Sequence, residues 1–160
     1  VHFQLQRNLI NSRIKILAQG IDGARDALLQ DFIENKQSIL LGTSSFWEGI
    51  DIPGESLKCV IMTKLPFWPP DSPILEAKAR LLESRGQNPF YELYLPEAII
   101  RFKQGFGRLI RTKDDRGVVI LLDDRILKKY YGKYFLKSLP ILSYFQGSSE
   151  NLIAQVGDWV

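Results

Sequence analysis

The stretch PEAIIRFKQGFGRLIR, residues 96–111, has the pattern of a helix with two opposed faces. At about 100° of turn per residue, its apolar side chains share one side. These are Ile99, Phe102, Phe106 and Leu109. The polar side chains share the other side, and they are Arg101, Gln104, Arg108 and Arg111. We therefore expect the apolar side to pack against a core and the polar side to reach outward.

Two glycines bear on the role of this polar side. Charged helix faces are usually only solvated, which is the first interpretation. However, Gly105 and Gly107 lie inside the pattern, where each costs about 1 kcal/mol relative to Ala. Glycine permits another element or a ligand to approach closely, and guanidinium groups suit phosphate oxygens. The second interpretation is therefore a helix that faces an anion.

Short apolar runs alternate with helical patterns along the rest of the chain. The runs predict strands at residues 13–19, 38–43, 57–65 and 117–122. Helical spacing occurs at residues 24–35, 74–84 and 126–139, and residues 1–12 have the pattern of a helix end. This alternation predicts a single α/β domain over residues 1–160, with a mostly parallel sheet covered by helices on both faces. Residues 148–160 form a tail whose fold the pattern does not predict.

Composition narrows the class of protein. The 160 residues are 45% hydrophobic and 24% charged, which is typical of a globular domain. The longest apolar runs are strand-sized and no signal-peptide pattern is present, so we expect no membrane span and a cytoplasmic location. Cys59 and His2 are the single cysteine and histidine, so we expect neither a metal site nor an iron–sulfur cluster in this chain.

Positive charge is concentrated around the opening helix. Residues 101–137 contain 11 Lys or Arg and 4 Asp, although the whole chain carries a net charge of only +3. The rest of the chain is therefore net negative. Such a local excess favours a polyanionic partner. Four lysines, Lys128, Lys129, Lys133 and Lys137, have helical spacing and either contact phosphates or form a solvated face.

A second candidate site follows the strand at residues 38–43. Ligands of doubly wound sheets bind beyond the carboxyl ends of strands, where Thr43, Ser44 and Ser45 offer hydroxyl and N–H donors suited to a phosphate. An ordinary turn is the alternative. Nearby aromatic residues either stack on bases or pack against the core. These are Trp47, Phe67 and Trp68.

Together the two stretches resemble a known family. TSSFWEGIDIPG, residues 43–54, resembles motif V of superfamily 2 helicases, and QGFGRLIR, residues 104–111, resembles motif VI. LPFWPPDSP, residues 65–73, is similar to the DinG/XPD branch of these DNA helicases, and to its bacterial DinG-like members. The resemblance covers roughly residues 13–140. It implies the second RecA-like motor domain of an ATP-dependent DNA helicase, with a three-layer fold.

The resemblance also implies what this domain contacts. The chain has no phosphate-binding G-x-x-x-x-G-K-[ST] loop, so ATP and magnesium would be bound mainly by a first RecA-like domain of the same polypeptide. We accordingly expect this chain to be the C-terminal part of a longer enzyme and to be inactive alone. Arg108 and Arg111 would meet the γ-phosphate across the cleft between the domains, and Gln104 would help to position it.

Other residues receive roles from motif V. Thr43 and Ser44 would hold the backbone of single-stranded DNA, with Ser45 and Trp47 beside them. The resemblance also implies residues that would couple DNA binding to the nucleotide state. These are Glu48, Gly49 and Asp51. Gly105 and Gly107 would lie where the helix passes close to the motif V loop or to the nucleotide on the partner domain.

Two other functions remain open at this point. The first is a nucleic-acid-binding or regulatory module without motor activity. The second is part of a DinG-like exonuclease, because some members of this group carry an upstream exonuclease domain. The residues that precede this chain in the full protein would separate these alternatives.

Overall fold

The structure is a computed structural model that describes residues 1–43, 46, 52, 56–69, 72–110, 116–140 and 144–156. Four strands alternate with helices along the described chain. The strands are β1 Lys15–Ala18, β2 Ser38–Leu41, β3 Cys59–Met62 and β4 Val118–Leu121. The helices are α1 His2–Asn8, α2 Arg25–Glu34, α3 Pro73–Ser84, α4 Leu95–Leu109, α5 Arg125–Lys128, α6 Gly132–Ser138 and α7 Ser149–Val156. A π-helical turn, Phe90–Tyr94, leads directly into α4.

Strands β1 and β2 form a parallel pair that α2 connects. Residues 15–18 of β1 are aligned with residues 38–41 of β2. Helix α2 lays an apolar side on this pair because Leu28 and Phe32 recur at helical spacing. The core that they form with the loop after β2 consists of Leu17, Leu28, Phe32, Phe46 and Ile52.

Strands β3 and β4 form the second parallel pair, with residues 59–62 aligned with residues 118–121. Helix α4 lies between them in the chain and packs against both. Phe102 of α4 and Phe135 of α6 are the largest fully buried side chains of this core. Burial of one such side chain contributes about 1.5–3 kcal/mol to folding. These two rings therefore attach α4 firmly to the rest of the domain.

The predicted parallel pairing of strands is confirmed, but the predicted single sheet is only partly seen. Within the described residues, the four strands form two separate two-stranded sheets, β1–β2 and β3–β4. The described chain is thus an α/β structure with small parallel sheets. The three-layer arrangement stays a prediction.

The prediction of one continuous helix at residues 126–139 is wrong. The chain forms α5 and α6 in its place, with residues 129–131 between them. Gly132 explains the break, because a Cβ atom at this position would lie 1.8 Å from the carbonyl oxygen of Ile126. The turn between the helices brings the two backbones too close for any side chain. In the tail, residues 149–156 form α7, whereas the sequence pattern predicted no fold there.

Cys59 is half-buried on β3, and burial raises the pKa of its thiol. None of the helices described is long and apolar enough to cross a membrane. In the described part of the chain, His, Cys, Asp and Glu side chains do not form a group that could hold a metal ion.

Candidate functional site

Helix α4 carries the residues that resemble motif VI. Pro96 lies in its first turn, where a proline costs no hydrogen bond, and the helix ends at Leu109 because Ile110 adopts an extended backbone. Its buried side includes Phe102, Phe106 and Leu109, as the spacing predicted, whereas Ile99 is only partly buried. The helix is therefore fixed along its apolar side. Its orientation decides where the polar side chains lie.

Arg101 does not reach outward, contrary to the prediction. Only 7% of its surface is exposed, and its Cζ atom lies 3.4 Å from the centroid of the Trp68 ring. Stacking on an indole compensates part of the cost of removing a guanidinium from water. This contact places Arg101 in the packing of α4. It also covers one face of Trp68, so that face is closed to a nucleic-acid base.

The other motif VI residues behave differently. Gln104 is exposed, while Arg108 is half-buried and its Nε atom is shielded from solvent. Arg108 lies in the last turn of the helix, where a cation interacts favourably with the helix dipole. Arg111 lies outside the described residues. The structure therefore presents one polar and one charged motif VI side chain near the C-terminal end of α4.

The two glycines of this helix are not equivalent. Gly105 is buried, as close packing of the helix would require. Gly107 is half-buried, and a Cβ atom there would meet nothing within 4 Å among the described residues. The described chain thus gives no contact that excludes a side chain at Gly107. Its approach to a nucleotide on a partner domain stays a prediction.

The loop after β2 begins at the carboxyl end of the first strand pair. Phe46 and Ile52 are buried in the core, and the Phe46 N–H donates to the carbonyl oxygen of Thr43 at 2.9 Å. The loop is therefore attached to the domain at two points. Six predicted site residues in this loop lie outside the described residues. They are Ser44, Ser45, Trp47, Glu48, Gly49 and Asp51.

Thr43 contacts a residue that the sequence interpretation missed. Its backbone N–H and its hydroxyl group both donate to Oε1 of Gln19, at 3.0 and 3.1 Å. Gln19 follows β1 directly, and its own N–H donates to Leu41 at the end of β2. Arg25 was missed as well, and its guanidinium donates to the Phe46 carbonyl at 3.4 Å. The signal for Gln19 was its place directly after a strand, at the edge where ligands bind.

Asp123 links the carboxyl ends of the second strand pair. It is 8% exposed, and its carboxylate accepts hydrogen bonds from the Leu65 N–H at 2.8 Å and from the Arg125 guanidinium at 2.6 Å. The hydrogen bond from Arg125 is the main reason why the pKa of Asp123 is lowered to about 2. A carboxylate this acidic stays ionised at neutral pH. Its hydrogen bonds to Leu65 and Arg125 make it a structural anion that joins the ends of the two strands.

The remaining aromatic and basic candidates differ in their burial. Phe67 packs in the core, where its ring centroid lies 5.8 Å from that of Phe135, so the core-packing interpretation holds for Phe67. The four lysines are exposed, with Lys128 in α5, Lys129 directly after it, and Lys133 and Lys137 in α6. Lys128 also pairs with Asp124. Their role in binding phosphates stays a prediction.

Comparison with known proteins places these features in a family. A family model described as "Helicase C-terminal domain" matches residues 1–141. The chain is 45% identical over 157 residues to the "3'-5' exonuclease DinG" of Bacillus subtilis (strain 168), covering 98% of this chain and 17% of that protein. It is 49% identical over 129 residues to the "ATP-dependent DNA helicase YoaA" of Haemophilus influenzae, covering 81% of this chain and 20% of that protein.

A third relative is similar to the same degree. The "ATP-dependent DNA helicase DinG" of Photobacterium profundum is 48% identical over 130 residues, which cover 79% of this chain and 19% of that protein. The chain thus spans about a fifth of the length of these relatives. The family match extends over most of the 160 residues, and on this ground the chain belongs to the helicase C-terminal domain family.

Proposed function

We propose that this chain is the second motor domain of a DinG-type ATP-dependent DNA helicase. Residues 1–160 would form one RecA-like domain with the three-layer arrangement, and a first motor domain of the same polypeptide would lie across a cleft from it. The names of the relatives from Haemophilus influenzae and Photobacterium profundum support this proposal. The resemblance of residues 43–54 and 104–111 to helicase motifs supports it independently.

The position of Arg108 is the single observation that carries the proposal. It is held half-buried at the end of a helix whose other side is locked in the core, and the exposed Gln104 lies one turn before it. A guanidinium fixed in this way keeps its charge and orientation without further reorganisation. The proposed role of Arg108, with Arg111, is to stabilise charge on a γ-phosphate that the first motor domain holds.

ATP, held with magnesium by that partner domain, would supply the phosphoryl group that is transferred to water, and the magnesium ion would neutralise part of the phosphate charge. This chain contributes positive charge and a hydrogen-bonding amide to the cleft. An arginine that is brought to such a site accelerates phosphoryl transfer by about 10³ to 10⁵. Closing and opening of the cleft would then move the loop after β2, where Glu48, Gly49 and Asp51 would couple it to the nucleotide state.

The nucleic-acid partner in this proposal is single-stranded DNA. The loop that begins at Thr43 would hold its sugar–phosphate backbone, with Ser44 and Ser45 as further donors and Trp47 against a base. Backbone contacts of this kind position a strand without reading its sequence. The position of Thr43 at the carboxyl end of β2 supports this part of the proposal.

Substitution of Arg108 in the full-length enzyme tests the proposal. We expect Arg108→Ala to lower the kcat of DNA-stimulated ATP hydrolysis by about 10³-fold or more, because the charge that stabilises the transition state is lost. Arg108→Lys should recover little of this rate, because an ammonium group cannot reproduce the guanidinium geometry. The matched control is Lys103→Ala, which removes an exposed cation from the same helix. Turnover of Arg108→Ala within about twofold of the control would contradict the proposal.

A second candidate function follows from the Bacillus subtilis relative, whose name is that of an exonuclease. In that case a domain upstream of this chain in the full-length protein would degrade DNA, and this chain would only bind the DNA strand. Release of nucleotides from labelled single-stranded DNA measures that activity directly. Nuclease activity without any ATP hydrolysis by the wild-type protein would favour this second function over a motor.

A further inference from the structure

Gln19 holds Thr43 in a defined geometry at the edge of the first strand pair. Two donors of Thr43, the backbone N–H and the hydroxyl group, converge on the single oxygen Oε1 of Gln19. The Gln19 backbone is itself tied to Leu41 through a hydrogen bond of 2.9 Å. Both side chains are exposed. The amide of Gln19 is therefore fixed at the surface where the loop after β2 begins.

This geometry also decides the orientation of the amide. A backbone N–H can only donate, so the atom of Gln19 that faces Thr43 must be the oxygen. The NH₂ group therefore does not face the Thr43 donors, and the side chain that carries it is exposed. It carries two donors, and among the described residues these donors have no acceptor. The Gln19 amide thus presents two fixed donors beside the entrance of the proposed DNA-binding loop.

We propose that Gln19 is a further contact to the backbone of single-stranded DNA, with its NH₂ group donating to a phosphate oxygen. Thr43 then acts mainly as a positioning residue, because its N–H and hydroxyl donors are directed to Gln19. This inference rests on the proposed function. It assigns the direct hydrogen bond to a residue that directly follows the partner strand β1, 24 positions before Thr43.

A phosphate oxygen fits this group better than a base edge. Glutamine amides frequently contact phosphates, and a hydrogen bond to a charged oxygen is about twice as strong as one between neutral groups. The carbonyl oxygen of Gln19 is engaged by Thr43, so the amide cannot offer the paired donor and acceptor that recognise adenine. Because Gln19 is neutral, its contact should add affinity without adding to the number of released counterions.

Two substitutions separate this role from a purely structural one. Gln19→Ala removes both the donors and the support of Thr43. Gln19→Glu keeps oxygen acceptors for the two Thr43 donors but replaces the NH₂ group by a negative oxygen. The matched control is Gln37→Glu, which adds the same charge at the opposite end of the strand pair, immediately before β2.

The full-length protein is tested with fluorescent oligo(dT) by anisotropy across a series of salt concentrations. We expect Gln19→Ala to raise Kd by about tenfold to a hundredfold, which is the effect of one lost hydrogen bond to a charged group. The slope of log Kd against log salt should not change, since no cation is lost. Gln19→Glu should weaken binding more than Gln19→Ala does, and Gln37→Glu should change Kd by less than about twofold.

Other results would overturn the inference. Binding by Gln19→Glu as tight as wild type would show that Gln19 only supports Thr43. Tighter binding by Gln19→Ala would show that Gln19 occupies the phosphate position and is displaced by DNA. In both cases the proposed function stands, because wild type still binds. Absence of oligo(dT) binding by the wild-type protein would instead overturn the proposed grip on DNA and this inference with it.

Discussion

At the scale of single residues, Asp123 shows how this chain uses charge in its packing. Its carboxylate ties the segment after β3 to the segment after β4, because it accepts hydrogen bonds from Leu65 and from Arg125. A nearly buried carboxylate is costly unless it is paired and hydrogen-bonded, and here both conditions are met. The carboxyl ends of β3 and β4 are therefore joined by an anion.

The pH dependence of stability follows from the lowered pKa of Asp123. Its pKa is about 2 in the folded chain and about 3.9 in an unfolded one. Its contribution, about 2 kcal/mol, is thus complete above pH 5 and is lost as the pH falls toward 2. We expect Asp123→Asn to lower the free energy of unfolding at pH 7 by about this amount, with the difference shrinking in acid. Urea unfolding from pH 3 to 7 measures it.

The control for this prediction is Asp124→Asn. Asp124 is exposed and pairs with Lys128 at the surface, so its loss should change stability much less. A constant difference between wild type and Asp123→Asn at every pH would show that the ionised carboxylate contributes nothing specific.

Individual residues also show where sequence patterns are informative and where they fail. Helical spacing correctly predicted that Phe102 and Leu109 are buried, because period and burial are directly related. The same spacing placed Arg101 on the outward side, and this was wrong. Only the tertiary position of Trp68, 33 residues earlier, makes room for a buried guanidinium. No local pattern contains that information.

At the scale of elements, the strands and the long helices were predictable to within a few residues. Short apolar runs and amphipathic spacing are local properties of sequence. Shortly after α3, Gly86 has a φ of 73°, a conformation that favours glycine after a helix. The break between α5 and α6 was not predictable from spacing. Residues 126–139 keep helical spacing across the break, and only the contact of Gly132 with the backbone of Ile126 shows why they turn.

Matched glycine substitutions test this account of the two helices. A Cβ atom at Gly132 would overlap the carbonyl oxygen of Ile126, so Gly132→Ala should destabilise the fold by about 2–3 kcal/mol. Gly107→Ala meets no described atom and should stabilise α4 by about 0.5–1 kcal/mol, because alanine is the better helix former. Urea unfolding of both variants measures the difference. Equal stabilities would contradict the steric explanation.

Gly107→Ala has a second expected effect if a nucleotide approaches the helix closely. In the full-length enzyme it should lower DNA-stimulated ATP turnover although it raises stability. Improved stability together with unchanged turnover would remove the close-approach role of Gly107. The proposed role of Arg108 would be unaffected by that result.

At the scale of the whole molecule, both strand pairs carry polar side chains just beyond their carboxyl ends. The carboxyl end of the first pair carries Gln19 and Thr43, and that of the second carries Asp123. The sequence predicted such edges, because parallel strands joined by helices share them. It did not predict which side chains would bond across an edge, since Gln19 and Thr43 are distant in the chain.

A last prediction concerns the isolated chain of residues 1–160. Phosphoryl transfer of this class needs groups that hold the β- and γ-phosphates and magnesium, and the sequence has no phosphate-binding loop of that type. In the proposed function, Arg108 would act only on phosphates that another domain positions. We therefore expect the isolated chain to bind oligo(dT) weakly, with an affinity that falls as salt rises, and to release no phosphate from ATP.

Phosphate release by the isolated chain, with and without oligo(dT), measures this prediction, and circular dichroism confirms that the chain is folded. Addition of the separately prepared first motor domain should restore DNA-stimulated release, and Arg108→Ala in this chain should abolish the restored part. DNA-stimulated hydrolysis by the isolated wild-type chain would mean that a complete catalytic site lies within these 160 residues. In that case Arg108 would act within its own domain and not across a cleft.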